Sequence, residues 1–298
     1  MRINPPQIAG LVVLTTALLA ATPVAALNMV VGDVTVQNLG SFGFDVQGTD
    51  APGAENGVLT FDGGVTDELF QMFGYMGTAS GHVRIDSNNF NVSSAIAQVG
   101  NTAVSQLTLS AVGAAALGLG VGDLVVDYTF SLIDDTTAVD SDRLGWQIDM
   151  TNTTASAINV SLYTYVDLDL NGTFGDDSAT TDTSRMFVTD GGDPTHYFMW
   201  DVVESAGADH FQVGNYPTVR TALNNMTSAQ NLSDGGGSFG PADFSGAFQF
   251  DRTIAAFGTE TTTLNTAQIP EPQPALLTGL GLVGLAFYGR RRRRARRR

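Results

Sequence analysis

Between residues 124 and 170, apolar and polar positions alternate with a period of two. Leu124, Val126, Tyr128, Phe130 and Leu132 are interleaved with Val125, Asp127, Thr129 and Ser131. Leu144, Trp146, Ile148 and Met150 are interleaved with Gly145, Gln147, Asp149 and Thr151. A third run places Ile158, Val160, Leu162, Thr164, Val166, Leu168 and Leu170 between Asn159, Ser161, Tyr163, Tyr165, Asp167 and Asp169. Successive side chains of a strand point to opposite faces, so these runs predict half-buried antiparallel strands. The short Thr/Asn/Ser-rich link 151–157 predicts a hairpin between the second run and the third. Shorter strand candidates are Leu27–Val36, Val83–Ile85, Val104–Leu109, Arg185–Val188, Tyr197–Val203 and Ala247–Ile254. One helix is predicted from Pro217 to Thr227, with Val219, Ala222, Leu223 and Met226 on one face and Pro217 early in its first turn. The stretches 171–184 and 231–246 are poor in apolar residues and read as loops. Many short strands joined by Gly, Asn and Thr links predict an all-β fold, an antiparallel β-sandwich with one short helix, over residues 27–268.

Both ends break the pattern. Met1-Arg2, an apolar segment Ile8–Ala21 and the small residues Val24-Ala25-Ala26 have the layout of a secretory signal peptide (1–26), cut after Ala26 and carried by the Sec export machinery. At the other end, Ile269-Pro270-Glu271-Pro272 precedes an apolar run, Ala275–Tyr288, and an arginine block, Arg290–Arg298, broken only by Ala295. The prolines stop the preceding element. The apolar run reads as a single transmembrane segment, with the arginines held on the cytoplasmic side. At about 1.5 Å per residue the run is short for a hydrocarbon core of roughly 30 Å, which suits a transient anchor. Gly279, Gly281 and Gly284 match a dinucleotide-binding spacing by letter. Without a βαβ unit around them they read as small residues for helix contact in lipid.

This ordered trio (residues 269–298) resembles the PEP-CTERM sorting signal of Gram-negative bacteria, with Pro270, Glu271 and Pro272 as its motif. The resemblance implies processing by an exosortase-type enzyme, transient anchoring at the inner membrane, and delivery to the cell surface or extracellular matrix. Asp67–Tyr75 and Leu162–Thr173, the latter preceded by Met150–Thr153, are similar to segments of exported PEP-CTERM proteins of unknown function. That similarity implies a surface or matrix protein and brings no defined catalytic activity with it.

Charge sharpens the reading. The chain has 14 basic and 30 acidic residues, a net charge of −16, and no lysine. Eight arginines lie in the tail and Arg2 in the signal peptide, leaving five in the body. So acidic a body repels nucleic acid and anionic lipid and attracts divalent cations. The absence of cysteine excludes thiolate metal sites and cysteine nucleophiles.

The densest chemistry is Asp167-x-Asp169-x-Asn171-Gly172, with Thr173, Asp176 and Asp177 following. Asp167 and Asp169 share a strand face, Asn171 extends the row, and Gly172 permits a tight turn. Oxygens at the first, third and fifth positions with glycine at the sixth are how a calcium loop begins. Calcium is therefore the candidate cofactor, with Asp167, Asp169, Asn171, the Thr173 carbonyl, Asp176 and Asp177 as candidate ligands. The twelfth position is Ser178 instead of glutamate and no helices flank the loop, so a solvated polar strand face is the alternative. Catalytic signatures are poor. Gly236-Gly237-Ser238-Phe239-Gly240 matches a nucleophile elbow only by letter. His82, His196 and His210 are scattered, and Asp134, Asp135, Asp140 and Asp142 form no evident acid/base pair. Trp146 is expected in the core, while Trp200 is the freer candidate for sugar contact.

These observations lead to the expectation of an exported structural or adhesive protein of the cell surface or biofilm matrix, without enzymatic turnover. A carbohydrate-binding module or polysaccharide-acting enzyme serving the same matrix, with extracellular polysaccharide as partner, is the second reading.

Overall fold

The computed structural model describes residues 27–31, 34–45, 58–60, 67–133, 143–193 and 197–269. Its first part carries β1 (Leu27–Val31), β2 (Val34–Leu39), β3 (Phe44–Asp45), β4 (Val58–Thr60), β5 (Gln71–Gly77) and β6 (His82–Arg84). Next come β7 (Phe90–Val99), β8 (Thr102–Leu109), the helix α1 (Ala111–Leu117), β9 (Leu124–Ile133), β10 (Arg143–Asn152) and β11 (Ile158–Asp167). After a 3-10 turn at Leu170–Gly172 follow β12 (Asp177–Thr181), β13 (Arg185–Thr189), β14 (Tyr197–Val202) and β15 (His210–Asn215). The helix α2 (Thr218–Asn225) precedes β16 (Ser238–Ala242), β17 (Phe244–Ile254) and β18 (Thr259–Ile269).

The strands form a nine-stranded sheet, β16-β12-β13-β14-β18-β10-β9-β8-β7, and a six-stranded sheet, β15-β17-β11-β5-β3 with β6 beside β5. A small third sheet, β1-β2-β4, completes the set. The two large sheets face each other across the core. Trp200 of β14 meets Phe248 of β17 at 5.2 Å between ring centroids, and Phe44 of β3 meets Phe130 of β9 edge-on at 5.9 Å. The inward set of β9 and β10 is the one that alternation marks: Leu124, Val126, Tyr128, Phe130, Leu144, Trp146, Ile148 and Met150 are all buried. The all-β sandwich is thus as expected, with two short helices in place of one. The additional helix, α1, is seven residues long and is held by its ends. Ser110 accepts the Gly113 N–H, and Gly118 closes it in the left-handed region at φ +68°.

Two local expectations are corrected. The second and third runs do not form a hairpin. β10 pairs with β9 and β18, whereas β11 pairs with β17 and β5 in the opposite sheet. The link between them is a corner built on buried Asn152. Its Nδ2 donates to the carbonyls of Ser156, Ile254 and Ala255, and its Oδ1 accepts from the amide and hydroxyl of Thr154. Nor is β11 half-buried, because Tyr163, Tyr165 and Asp167 on its second face are buried too. That face is covered by α2, whose Val219 and Leu223 are buried, and by the segment after it. Tyr75 donates its hydroxyl to Asn224 Oδ1 at 3.0 Å and Tyr163 to the Gln230 carbonyl at 2.8 Å.

The outer strands of the nine-stranded sheet are irregular. β7 shifts register against β8 between Val92 and Ser94 and again between Ser94 and Ala97. β16 has only five residues and includes Pro241. The signal peptide 1–26, the motif Pro270, Glu271 and Pro272, the apolar run 275–288 and the arginine tail 290–298 lie outside the described residues. Among the described residues, no helix is long and apolar enough to cross a membrane.

Candidate functional site

Asp167 is the last residue of β11 and pairs with Ser245 of β17 on one side and Gln71 of β5 on the other. With both faces of that strand covered, its carboxyl is buried. The Tyr165 hydroxyl approaches Oδ2 at 3.4 Å, and Oδ1 has no hydrogen-bond partner. Burial, reinforced by the charges of Asp169 and Asp243 and opposed by Arg220, holds its pKa well above the usual carboxylate range. Asp169 stands just before the Leu170–Gly172 turn, and its pKa is pushed up to about 6 by burial, then by Asp243 and Asp67. Asp67 is also raised to about 6 by burial, although it accepts the amides of Leu59 and Leu69. Asp243 occupies the single-residue break between β16 and β17, and burial raises its pKa too.

One oxygen from each of Asp167, Asp169 and Asp243 lies within 4.8 Å of the others. The three carboxyls open into a pocket of about 290 Å³ completed by Phe70, Phe174 and Tyr216. Phe70 and Tyr216 meet edge to face at 5.7 Å, and the Arg220 guanidinium lies 4.7 Å from the Tyr216 ring centre. Phe174 is 76% exposed at the rim. A second cavity of about 270 Å³, lined by residues such as Asn159, Ser161, Asp251 and Arg252, has no aromatic wall.

Of the six residues expected to ligate one calcium ion, the four aspartates fall into two groups. Asp167 and Asp169 group with Asp243, whereas Asp176 and Asp177 group with Asp190. Gly172 takes the tight turn at φ +66°, and the Thr173 hydroxyl donates to Asp176 Oδ1 at 3.2 Å and to the Leu170 carbonyl at 2.9 Å. The Asn171 side chain lies outside the described residues. The divergence follows from pairing that the polar composition conceals. Stretches 171–184 and 231–246, expected as loops, contain β12 and β16, which pair with Asp177 opposite Ala242. Asp243 is thereby carried to the end of β11. On the other side of β12, Ser178 pairs with Thr189, which sets Asp190 beside Asp177. Asp243, Asp190, Phe174 and Tyr216 carry no local sequence signal, since pairing alone brings them together.

The remaining candidates fall away from this pocket. His82 is stacked on Tyr75 and edge-on to Tyr163. His210 Nδ1 lies 2.8 Å from Asp234 Oδ2. Ser238 is an exposed residue of the edge strand β16, and no helix follows it as a nucleophile elbow would need. Trp200, expected to be free for sugar contact, is fully buried against Phe248 because its face of β14 looks into the sandwich. His196, Asp134, Asp135, Asp140 and Asp142 lie outside the described residues.

No protein-family model matches the chain, and no curated protein sequence matches it. Solved structures do. A bacterial glucoamylase complexed with acarbose superposes with a TM-score of 0.50 at 9% identity, over 85% of this chain and 33% of the glucoamylase. This chain therefore spans about a third of the length of that protein. A galactose mutarotase-like protein from Lactobacillus casei gives a TM-score of 0.49 at 7% identity, covering 82% of this chain and 100% of its own. A putative aldose 1-epimerase from Escherichia coli K12 gives 0.47 at 8%, covering 82% and 98%.

These findings correct the expectation of a structural or adhesive protein without turnover. The sandwich is a fold that a carbohydrate-processing enzyme contains. Its sheet ends hold three convergent carboxyls, one buried and two half-buried, in an aromatic pocket, a concentration of proton-transfer groups that a passive scaffold does not require.

Proposed function

We propose that this protein is an exported carbohydrate-acting enzyme that seats one sugar ring in the pocket of Phe70, Phe174 and Tyr216 and works on it with Asp169, Asp243 and Asp167. The observation that carries the proposal is the convergence of the three carboxyls, within 4.8 Å, on an aromatic-lined pocket of about 290 Å³. That volume is near the lower end of ligand pockets, roughly 300–1,000 Å³, and suits a single ring. Aromatic faces pack against the C–H faces of a sugar, while carboxyls bond its hydroxyls. The glucoamylase likeness in fold supports this class of substrate.

Asp169, titrating at about 6, exchanges a proton near neutrality and is assigned general acid/base. Asp243 is the second carboxyl facing the bond. Asp167, whose pKa burial holds well above the usual carboxylate range, has an unpartnered oxygen available to a sugar hydroxyl. The close spacing suits a retaining pair, roughly 5–5.5 Å apart, better than an inverting pair that must admit a water across 6.5–9.5 Å. The terminal signals supply the setting: export, sorting through Pro270-Glu271-Pro272, and extracellular polysaccharide as substrate.

The test is turnover of a panel of α- and β-linked oligosaccharides, followed by reducing-end release and by NMR of the anomeric protons. Asp169→Asn is expected to lower kcat about 10²–10⁴-fold, and Phe174→Ala to raise KM more than it lowers kcat. An Asp169→Asn variant as active as wild type would remove the assignment. Sugar binding without turnover by the wild type would reduce the protein to a binding module.

A further inference from the structure

We propose that Asp176, Asp177 and Asp190 form a calcium site distinct from the sugar pocket and independent of the sugar reading. One oxygen from each of the three lies within 4.8 Å of the others. Asp177 is the telling member. It is 0% exposed, and neither Oδ1 nor Oδ2 has a hydrogen-bond partner. A buried carboxyl with no donor on either oxygen is costly, and the cost falls when a cation binds it. Four of the five arginines of the body are engaged elsewhere. Arg84 is paired with Asp86, Arg185 with Asp201, and Arg252 with Glu204 and Asp209, while Arg220 meets Gln71 and Tyr216. The chain has no lysine.

The surroundings are shaped for a hard cation. Gly192 donates its amide to Asp190 Oδ1 at 2.7 Å, and the Thr173 hydroxyl fixes Asp176 Oδ1, so two of the three carboxyls are oriented from outside the group. A Cβ at Gly191 would lie 2.3 Å from the Asp176 carbonyl oxygen, so only glycine lets that turn close on the group. Three carboxyls offer up to six oxygens. That fits the six to eight that calcium accepts in irregular geometry better than the strict, well-hydrated octahedron of magnesium. The ion would tie the segment after β11, which carries Phe174, to the turn after β13.

The experiment uses the purified full-length chain, freed of metal with a chelator, and the probe is calcium chloride alone. Calorimetry is expected to show one site with Kd on the order of 10⁻⁴–10⁻³ M, as in extracellular modules. At matched ionic strength, about 10 mM calcium should raise the melting temperature by roughly 3–6 °C more than magnesium does. Asp177→Asn and Asp190→Asn should each abolish that difference. Asp127→Asn, the same charge change on β9, should keep it. The proposal is overturned if the wild type gives no calcium heat, or if Asp177→Asn responds to calcium as the wild type does. Should the variants fail to fold, the wild-type calorimetry decides alone. Loss of sugar turnover with calcium binding intact would count against the pocket and leave this site standing.

Discussion

His82 is stacked on Tyr75, with ring centroids 5.5 Å apart, and lies 5.1 Å from Tyr163, and burial pushes its pKa down to about 4. The unfolded chain titrates near 6.5. Between those values the unfolded state binds a proton that the folded state refuses, so this residue's contribution to stability is present above pH 6.5 and is lost as pH falls towards 4. The loss is at most about 3 kcal/mol. Asp67 and Asp169, raised to about 6, and Asp177, raised to about 8, act with the opposite sign and favour the fold on acidification. A His82→Phe variant isolates the histidine. Urea unfolding of variant and wild type at pH 7 and pH 4.5 should show the variant losing less stability, or gaining more, on acidification. Parallel curves would mean that the ring is protonated without penalty.

At the scale of elements, the corner at Asn152 decides which sheet the chain enters. Its amide donates to the Ile254 and Ala255 carbonyls at the end of β17 and to the Ser156 carbonyl of the link itself. Asn152→Ala should cost about 1–3 kcal/mol by removing these bonds, of which the one to the Ile254 carbonyl is buried, read as a shift of the urea midpoint with an unchanged slope. This corner also shows where sequence patterning stops being informative. β9 and β10 were legible because one face is apolar and the other polar, and the structure buries the marked face. β11 shows the same alternation, yet both its faces are covered, since the hydroxyls of its buried Tyr163 and Tyr165 find the Gln230 carbonyl and the Asp167 carboxyl. A link as polar as 151–157 looks the same in a hairpin and in a crossing between sheets. β18 was missed because its inward positions include Thr262 and Thr266, buried hydroxyls that carry no hydrophobic signal. The site follows the same logic. Asp167 and Asp169 were visible through their i, i+2 spacing on one strand end. Asp243 and Asp190 were not, because strand pairing alone sets them beside their partners: β16 against β12 for Asp243, and β12 against β13 for Asp190.

For the whole molecule, the terminal signals and the sandwich make separate predictions. If the tail is a processed sorting signal, intact-mass spectrometry of protein recovered outside the cell should show loss of Arg290–Arg298. An extracellular species that retains Arg298 would sink the processing idea. The sandwich itself must resist association through its sheet edges, and there the irregular outer strands acquire a meaning. A free strand edge is a template for indefinite polymerisation, with each copy adding its own edge to the last. At one end of the nine-stranded sheet, Pro241 removes a donor from a strand of only five residues. At the other, two slips in register bend the long edge strand out of plane. Neither edge offers the straight, fully hydrogen-bonding rail that amyloid growth requires. Pro241→Val would restore one such donor, and thioflavin fluorescence of the concentrated variant should rise over days while the wild type stays dark. The protein thus carries its protection against fibrillation in the two strands that look least well formed.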